Sequence, residues 1–120
     1  MVKRGLLTVA FLLVANMGYA EYTGPVTDSP RQISVAAAKH LNDGAKISLE
    51  GFIIGHLRED YYLFRDESGE IGIEIEADVW SDKQVVPDTY VRVYGELEHE
   101  SGFIYLEVHR LEISETYPNR

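Results

Sequence analysis

Four side chains in the middle of the chain have types and spacing suited to holding a ligand. Tyr61 and Arg65 stand four apart in the run Tyr61-Tyr62-Leu63-Phe64-Arg65, and Glu74 and Glu76 stand two apart in Ile71-Gly72-Ile73-Glu74-Ile75-Glu76. In extended backbone, even spacing puts side chains on one face. Tyr61, Leu63 and Arg65 therefore share a face, and Glu74 and Glu76 fall on the same outer side of the next strand. The tyrosine ring offers a stacking plane, the guanidinium a forked donor, and the carboxylates a pair of acceptors. Such a set suits sugar hydroxyls, a peptide amine or a cation better than a polyanion. The opposite parity, Tyr62 and Phe64 against Ile71, Ile73 and Ile75, reads as core.

Catalytic and metal chemistry find no comparable support. His40, His56, His99 and His109 are scattered, and the chain has no cysteine. A dedicated zinc or copper site is therefore not expected, although weak oxygen-only cation binding by surface carboxylates stays open. There is no HExxH pair, no phosphate loop and no Ser-His-Asp order in a supporting context. No catalytic residue, metal ligand or cofactor is assigned, and the expectation is a binding protein rather than an enzyme.

The elements that must position these residues are mostly strands. After Ser34, a suitable N-cap, Val35, Ala38 and Leu41 recur at helical spacing until Asn42-Asp43-Gly44 stops a short helix. From Lys46 the period becomes two: Ile47, Leu49, Gly51 and Ile53 share one face of a long first strand, bent at Gly51 and Gly55. A second strand spans 61–65, Asp66-Glu67-Ser68-Gly69 makes a tight turn with Asp66 accepting backbone N–H groups, and a third strand spans 71–76. Residues 77–87, with the single Trp80, break the alternation as a turn or short helix. A fourth strand spans 89–97, with Val91, Val93 and Gly95 inward. A fifth spans 103–113, with Ile104, Leu106 and Val108 inward and a phase slip before Leu111 that predicts a bulge. Five strands in this order predict an all-β, five-stranded barrel of the oligonucleotide/oligosaccharide-binding (OB) type with a short N-terminal helix. An open five-stranded sheet covered by that helix is the rival.

The ends of the chain carry different information. Lys3 and Arg4 precede an apolar run from Gly5 to Val14, and Gly18 and Ala20 sit three and one positions before a cleavage point. This is the pattern of a cleavable export signal, too short for a permanent membrane span of about 20 residues. Cleavage after Ala20 leaves an extended leader over 21–33, a domain over 34–114 and a tail over 115–120. The full chain has 11 basic and 20 acidic residues; without Lys3 and Arg4 the balance is 9 − 20 = −11. A surface so negative repels phosphate backbones and anionic headgroups, so neither nucleic acid nor stable membrane insertion is expected.

These residues also resemble a known family. Tyr22-Thr23-Gly24-Pro25, Leu49-x-Gly51-x-Ile53, Asp60-x-Tyr62-x-Phe64-x-Asp66-x-Ser68-Gly69, Ile71-x-Ile73-x-Ile75, Trp80 and Val91-x-Val93-x-Gly95-Glu96 are similar to the bacterial OB-fold family of the YgiW/YdeI type. The resemblance covers nearly the whole chain after residue 20. It implies an OB barrel, a periplasmic location and a part in stress tolerance, and it brings no catalytic residue. The chain departs from the family pattern after the third strand, where Ala77-Asp78-Val79-Trp80-Ser81-Asp82 replaces a basic stretch and Trp-x-Gly. The partner expected is a small polar or glycan-like envelope ligand met by Tyr61, Arg65, Glu74 and Glu76. An envelope protein docking on the same face, and weak sequestration of cations or cationic peptides by the net charge, are the alternatives.

Overall fold

The computed structural model describes residues 30–114. The export signal with its cleavage after Ala20, the leader up to residue 29 and the tail 115–120 lie outside the described residues. The elements run β1 (Arg31–Gln32), α1 (Val35–Ala38), β2 (Lys46–Arg58), β3 (Tyr61–Asp66), β4 (Gly69–Glu74), α2 (Ala77–Trp80), β5 (Val91–Glu100) and β6 (Phe103–Ile113). Neighbours in the sheet follow β2–β3–β4–β6–β5, and β5 returns to β2 from Lys46↔Glu96 through Gly51↔Val91. That last ladder closes a five-stranded barrel and excludes the open-sheet rival. The end of the leader is part of the sheet: Arg31 and Gln32 pair in parallel with Ile47 and Ser48.

Alternation fills the barrel. Ile47 and Leu49 from β2, Phe64 from β3, Ile73 from β4, Val91, Val93 and Leu97 from β5 and Leu106 from β6 are buried in one cluster. Tyr62 is only half-buried; its ring packs on this cluster rather than within it, stacked on His56 and edge-on to Trp80 of α2. The helix α1 contributes Val35 and Ala38, both wholly buried. Ser34 caps it by accepting from the Ala37 N–H, and the β3–β4 turn supplies the rest. Asp66 accepts from the N–H groups of Ser68, Gly69 and Val35, and the Ser68 hydroxyl accepts from Ala36 N–H. One turn carboxylate thus ties its own loop and the helix start together, satisfying donors that a helix leaves unpaired.

Closing so small a barrel requires bent strands, and two glycines permit the bends. A Cβ at Gly51 would lie 2.2 Å from the Arg65 carbonyl oxygen, and one at Gly95 would lie 2.0 Å from that of Glu107. Both distances are impossible for any side chain. The predicted slip before Leu111 is a bulge: Gly95 pairs with Val108 and Tyr94 with Arg110, leaving His109 as the extra residue on β6. Val108 and Leu111, three apart, therefore both point inward.

Candidate ligand-binding face

The register arranges the outward side chains in three rows across the strands. The first row runs Arg58, Tyr61, Glu74, Glu107 and Glu96, each the cross-strand neighbour of the next. The second runs Gly55, Leu63, Gly72, Tyr105 and Glu98. The third holds Phe52, Arg65 and Glu70 on one side and Phe103 and Glu100 on the other. Phe64, Ile71, Ile73, Leu97 and Leu106 alternate with them and point into the core.

Of the four residues singled out from sequence, two meet directly and two do not. Tyr61 and Glu74 are cross-strand partners. Arg65 lies at the other end of β3, where its guanidinium donates twice to Glu70 Oε2, at 3.1 and 2.8 Å. Glu76 lies beyond the end of β4, at the N-cap of α2, because the backbone leaves the strand after Glu74. The face acquires residues that the sequence reading did not single out. Tyr105 sets its ring edge against Tyr61 at 5.4 Å between centroids, and its hydroxyl donates to Glu100 at 3.3 Å. Arg58 stacks its guanidinium over the other side of the site, 5.2 Å from the Tyr61 centroid.

Electrostatics distinguish this face. Burial pushes the Glu74 carboxyl above its ordinary range, and the nearby charges of Glu107, Glu76, Asp60 and Glu98 push it further. Glu98 is raised in the same way by desolvation and by Asp43, Glu107, Glu96 and Glu100. Burial also holds the Tyr105 phenol well above its usual range, with hydrogen bonding to Tyr61 adding to it, so it stays a donor. Among the described residues no basic side chain pairs with Glu74 or Glu98. Glu107 lies 3.8 Å from the His109 Nε2, a pair that is ionic only when the imidazole is protonated. No three His, Asp or Glu side chains of the described residues converge on a point where a metal ion could sit.

The other side of the barrel carries as many charges, arranged differently. Arg92 donates to Glu50 and to the Tyr94 hydroxyl, Tyr90 donates to Glu50 at 2.9 Å, and Tyr94 donates to Glu112 at 3.0 Å. Arg110 pairs with Glu112 and lies over the Tyr94 ring, 3.7 Å from its centroid. Burial works to raise the Glu50 carboxyl, but the Arg92 and Tyr90 hydrogen bonds outweigh it and hold it below the ordinary value. A cleft of about 730 Å³ opens beside this network, between Gln32, Glu50, Phe52, Tyr90 and the Asp66–Ser68 turn. Three of the charged groups that line it already have partners: Glu50 with Arg92, Arg65 with Glu70, and Asp66 within the turn.

A closed five-stranded barrel with an aromatic, polar outer face on β3 and β4 defines an OB-fold domain. Within that class the chain belongs to a family: residues 15–113 match the Bacterial OB fold (BOF) protein family. It is 30% identical to Protein YgiW of Escherichia coli over 78 residues, which cover 65% of this chain and 60% of YgiW. The solved YgiW structure superposes with a TM-score of 0.69 at 27% identity, covering 79% of this chain and 99% of that one. An uncharacterized protein of Haemophilus influenzae is 31% identical over 104 residues, covering 82% of this chain and 86% of that protein. The calcium-regulated OB-fold protein CarO of Pseudomonas aeruginosa is 31% identical over 81 residues, with 68% and 69% covered.

Proposed function

We propose that this is a periplasmic OB-fold binding protein contributing to envelope stress tolerance, and that it meets its ligand on the outer face of β3, β4 and the first half of β6. The ligand is a small polar envelope molecule rich in hydrogen-bond donors, glycan-like or amine-bearing. Glu74 carries this reading. A half-buried carboxyl beside the Tyr61 ring, facing Glu107 and lacking a basic partner among the described residues, is a cost to the free barrel. A donor-bearing ligand removes that cost. The export-type N-terminus and the family resemblance support the compartment and the broad role.

The test is mass spectrometry of small molecules that co-purify from osmotic-shock fluid, comparing the wild type with a Tyr61→Ala, Tyr105→Ala double variant of confirmed fold. The expected result is a chain beginning at Glu21 whose captured molecule is lost in the double variant. Equal capture by both proteins would contradict the site, and an N-terminus still carrying Met1 would contradict the compartment. One relative is named for calcium regulation, so the purification is repeated with calcium added to the shock fluid.

A further inference from the structure

The middle row of the face is shaped by glycines that the fold does not need. At Gly51 and Gly95 the backbone of a neighbouring strand forbids a side chain. At Gly72 a Cβ would meet nothing closer than the Tyr105 Cβ at 3.8 Å, and at Gly55 nothing closer than the Leu63 Cβ at 4.0 Å. Neither residue has a positive φ. A glycine inside a strand weakens it and leaves bare backbone, as where another chain approaches closely. These two lie on either side of Leu63, between rows of large side chains. The row they belong to, Gly55, Leu63, Gly72, Tyr105 and Glu98, spans about 19 Å at the usual strand spacing; bare at two of its five positions, it lies lower there than the rows beside it and makes a shallow trough.

What borders the trough fixes the chemistry of its occupant. Tyr61, Glu74 and Glu107 stand along one side, Phe103 rises on the other with 72% of its surface exposed, and Glu98 closes one end. Leu63 and Tyr105 form its apolar floor. Arg58 already lies over the Tyr61 ring, so the attraction for cations comes from the carboxylates, and Leu63, Tyr105 and Phe103 favour cations that carry apolar groups. A polyanion is repelled; a neutral glycan can donate to Glu74 but brings no charge to offset the repulsion between Glu74 and Glu107, which a cation does.

We propose that a linear cationic chain with apolar groups between its charges, an extended basic amphipathic peptide segment, lies in this trough across the strands. Its charges meet Glu74, Glu98 and Glu107, and its apolar groups meet Leu63, Tyr105 and Phe103. This inference rests on the reading of the face as a binding surface. Spanning the trough takes about six extended residues.

The experiment titrates the full chain with an alternating lysine–leucine heptapeptide and with its tripeptide, by calorimetry at low salt. Gly72→Val fills the trough floor from an outward-facing, half-buried strand position with room for a Cβ and should leave the melting temperature unchanged or higher. It is expected to weaken the heptapeptide by roughly tenfold, as when a central contact is blocked. Glu74→Gln with Glu98→Gln should weaken it comparably, and the tripeptide should bind far less tightly than the heptapeptide. If Gly72→Val binds like the wild type while the Gln double variant is weakened, the chain does not lie in the trough, although the face still binds cations. If both bind like the wild type, the face is not the site and the inference falls with that reading. A neutral oligosaccharide that binds tightly and is lost only in Gly72→Val would overturn the cationic partner.

Discussion

Strands β5 and β6 contribute to both outer walls of the barrel, and the two walls treat charge in opposite ways. In their paired outer halves, Arg92, Tyr94, Arg110 and Glu112 join Glu50 in a network where each carboxylate has a guanidinium. Beyond the bulge at His109, Glu96, Glu98, Tyr105 and Glu107 face Glu74 and Tyr61 with no such partner for Glu74 or Glu98. The backbone alternation is the same on both sides; only the residue types differ. A wall whose charges satisfy one another stabilises the barrel and has little left to offer a ligand. The unneutralised wall is weaker in isolation and has acceptors to spare.

The severest way to break this comparison is to disturb the junction between the walls. Gly95→Val would drive a side chain into the Glu107 backbone. Urea unfolding should show a loss of about 3 kcal/mol or more, beyond ordinary overpacking because backbone must move. A smaller loss is expected on the paired wall. Arg92→Ala leaves Glu50, whose side chain is only 14% exposed, without its main partner, and should lower stability by about 1–3 kcal/mol.

Glu74→Gln on the other wall should have the opposite sign, a gain of a few tenths to about 1 kcal/mol at pH 7, because like charges across a ladder destabilise it. Proton linkage sharpens this contrast. Glu74 is raised in the folded barrel, so its contribution favours folding below the ordinary glutamate value of 4.5 and is lost as pH rises through the folded value. Glu50 is lowered, so its contribution is present above 4.5 and is lost as pH falls through the folded value. Melting curves should therefore show Glu74→Gln above the wild type at neutral pH and converging on it below about 4.5. Arg92→Ala should lie below the wild type at neutral pH, with the gap narrowing in acid. The same direction for both variants at pH 7 would remove the distinction between the walls.

Strand parity was legible in the sequence because it is local. The alternation around Phe64 and Ile73 places both inward, and the slip before Leu111 announces a late bulge, which the register puts at His109. The adjacency of Tyr61 and Glu74 follows from the hairpin between β3 and β4, whose tight turn could be read from Asp66 to Gly69. Tyr105, Glu107 and Glu98 could not be placed beside them, because β4 pairs with β6 in parallel across 28 or more residues of intervening chain. The one available signal was that Phe103, Tyr105 and Glu107 have the parity opposite to Ile104, Leu106 and Val108. Arg65 has the type of a ligand donor; that Glu70 lies directly across the hairpin and accepts from it is visible only in the register. Glu76 continues the alternation of β4 in sequence, but the backbone turns into α2 there.

The central claim is that ligand meets the wall of β3, β4 and β6, and backbone amide shifts test it most directly. Titrating the labelled protein with the lysine–leucine heptapeptide should move the amides of Gly55, Leu63, Gly72, Glu74, Glu98 and Tyr105 together, leaving Glu50, Arg92 and Arg110 in place. No shifts at the highest peptide concentration would overturn the cationic partner, and shifts gathered instead on Glu50, Tyr90 and the Asp66–Ser68 turn would contradict the claim itself.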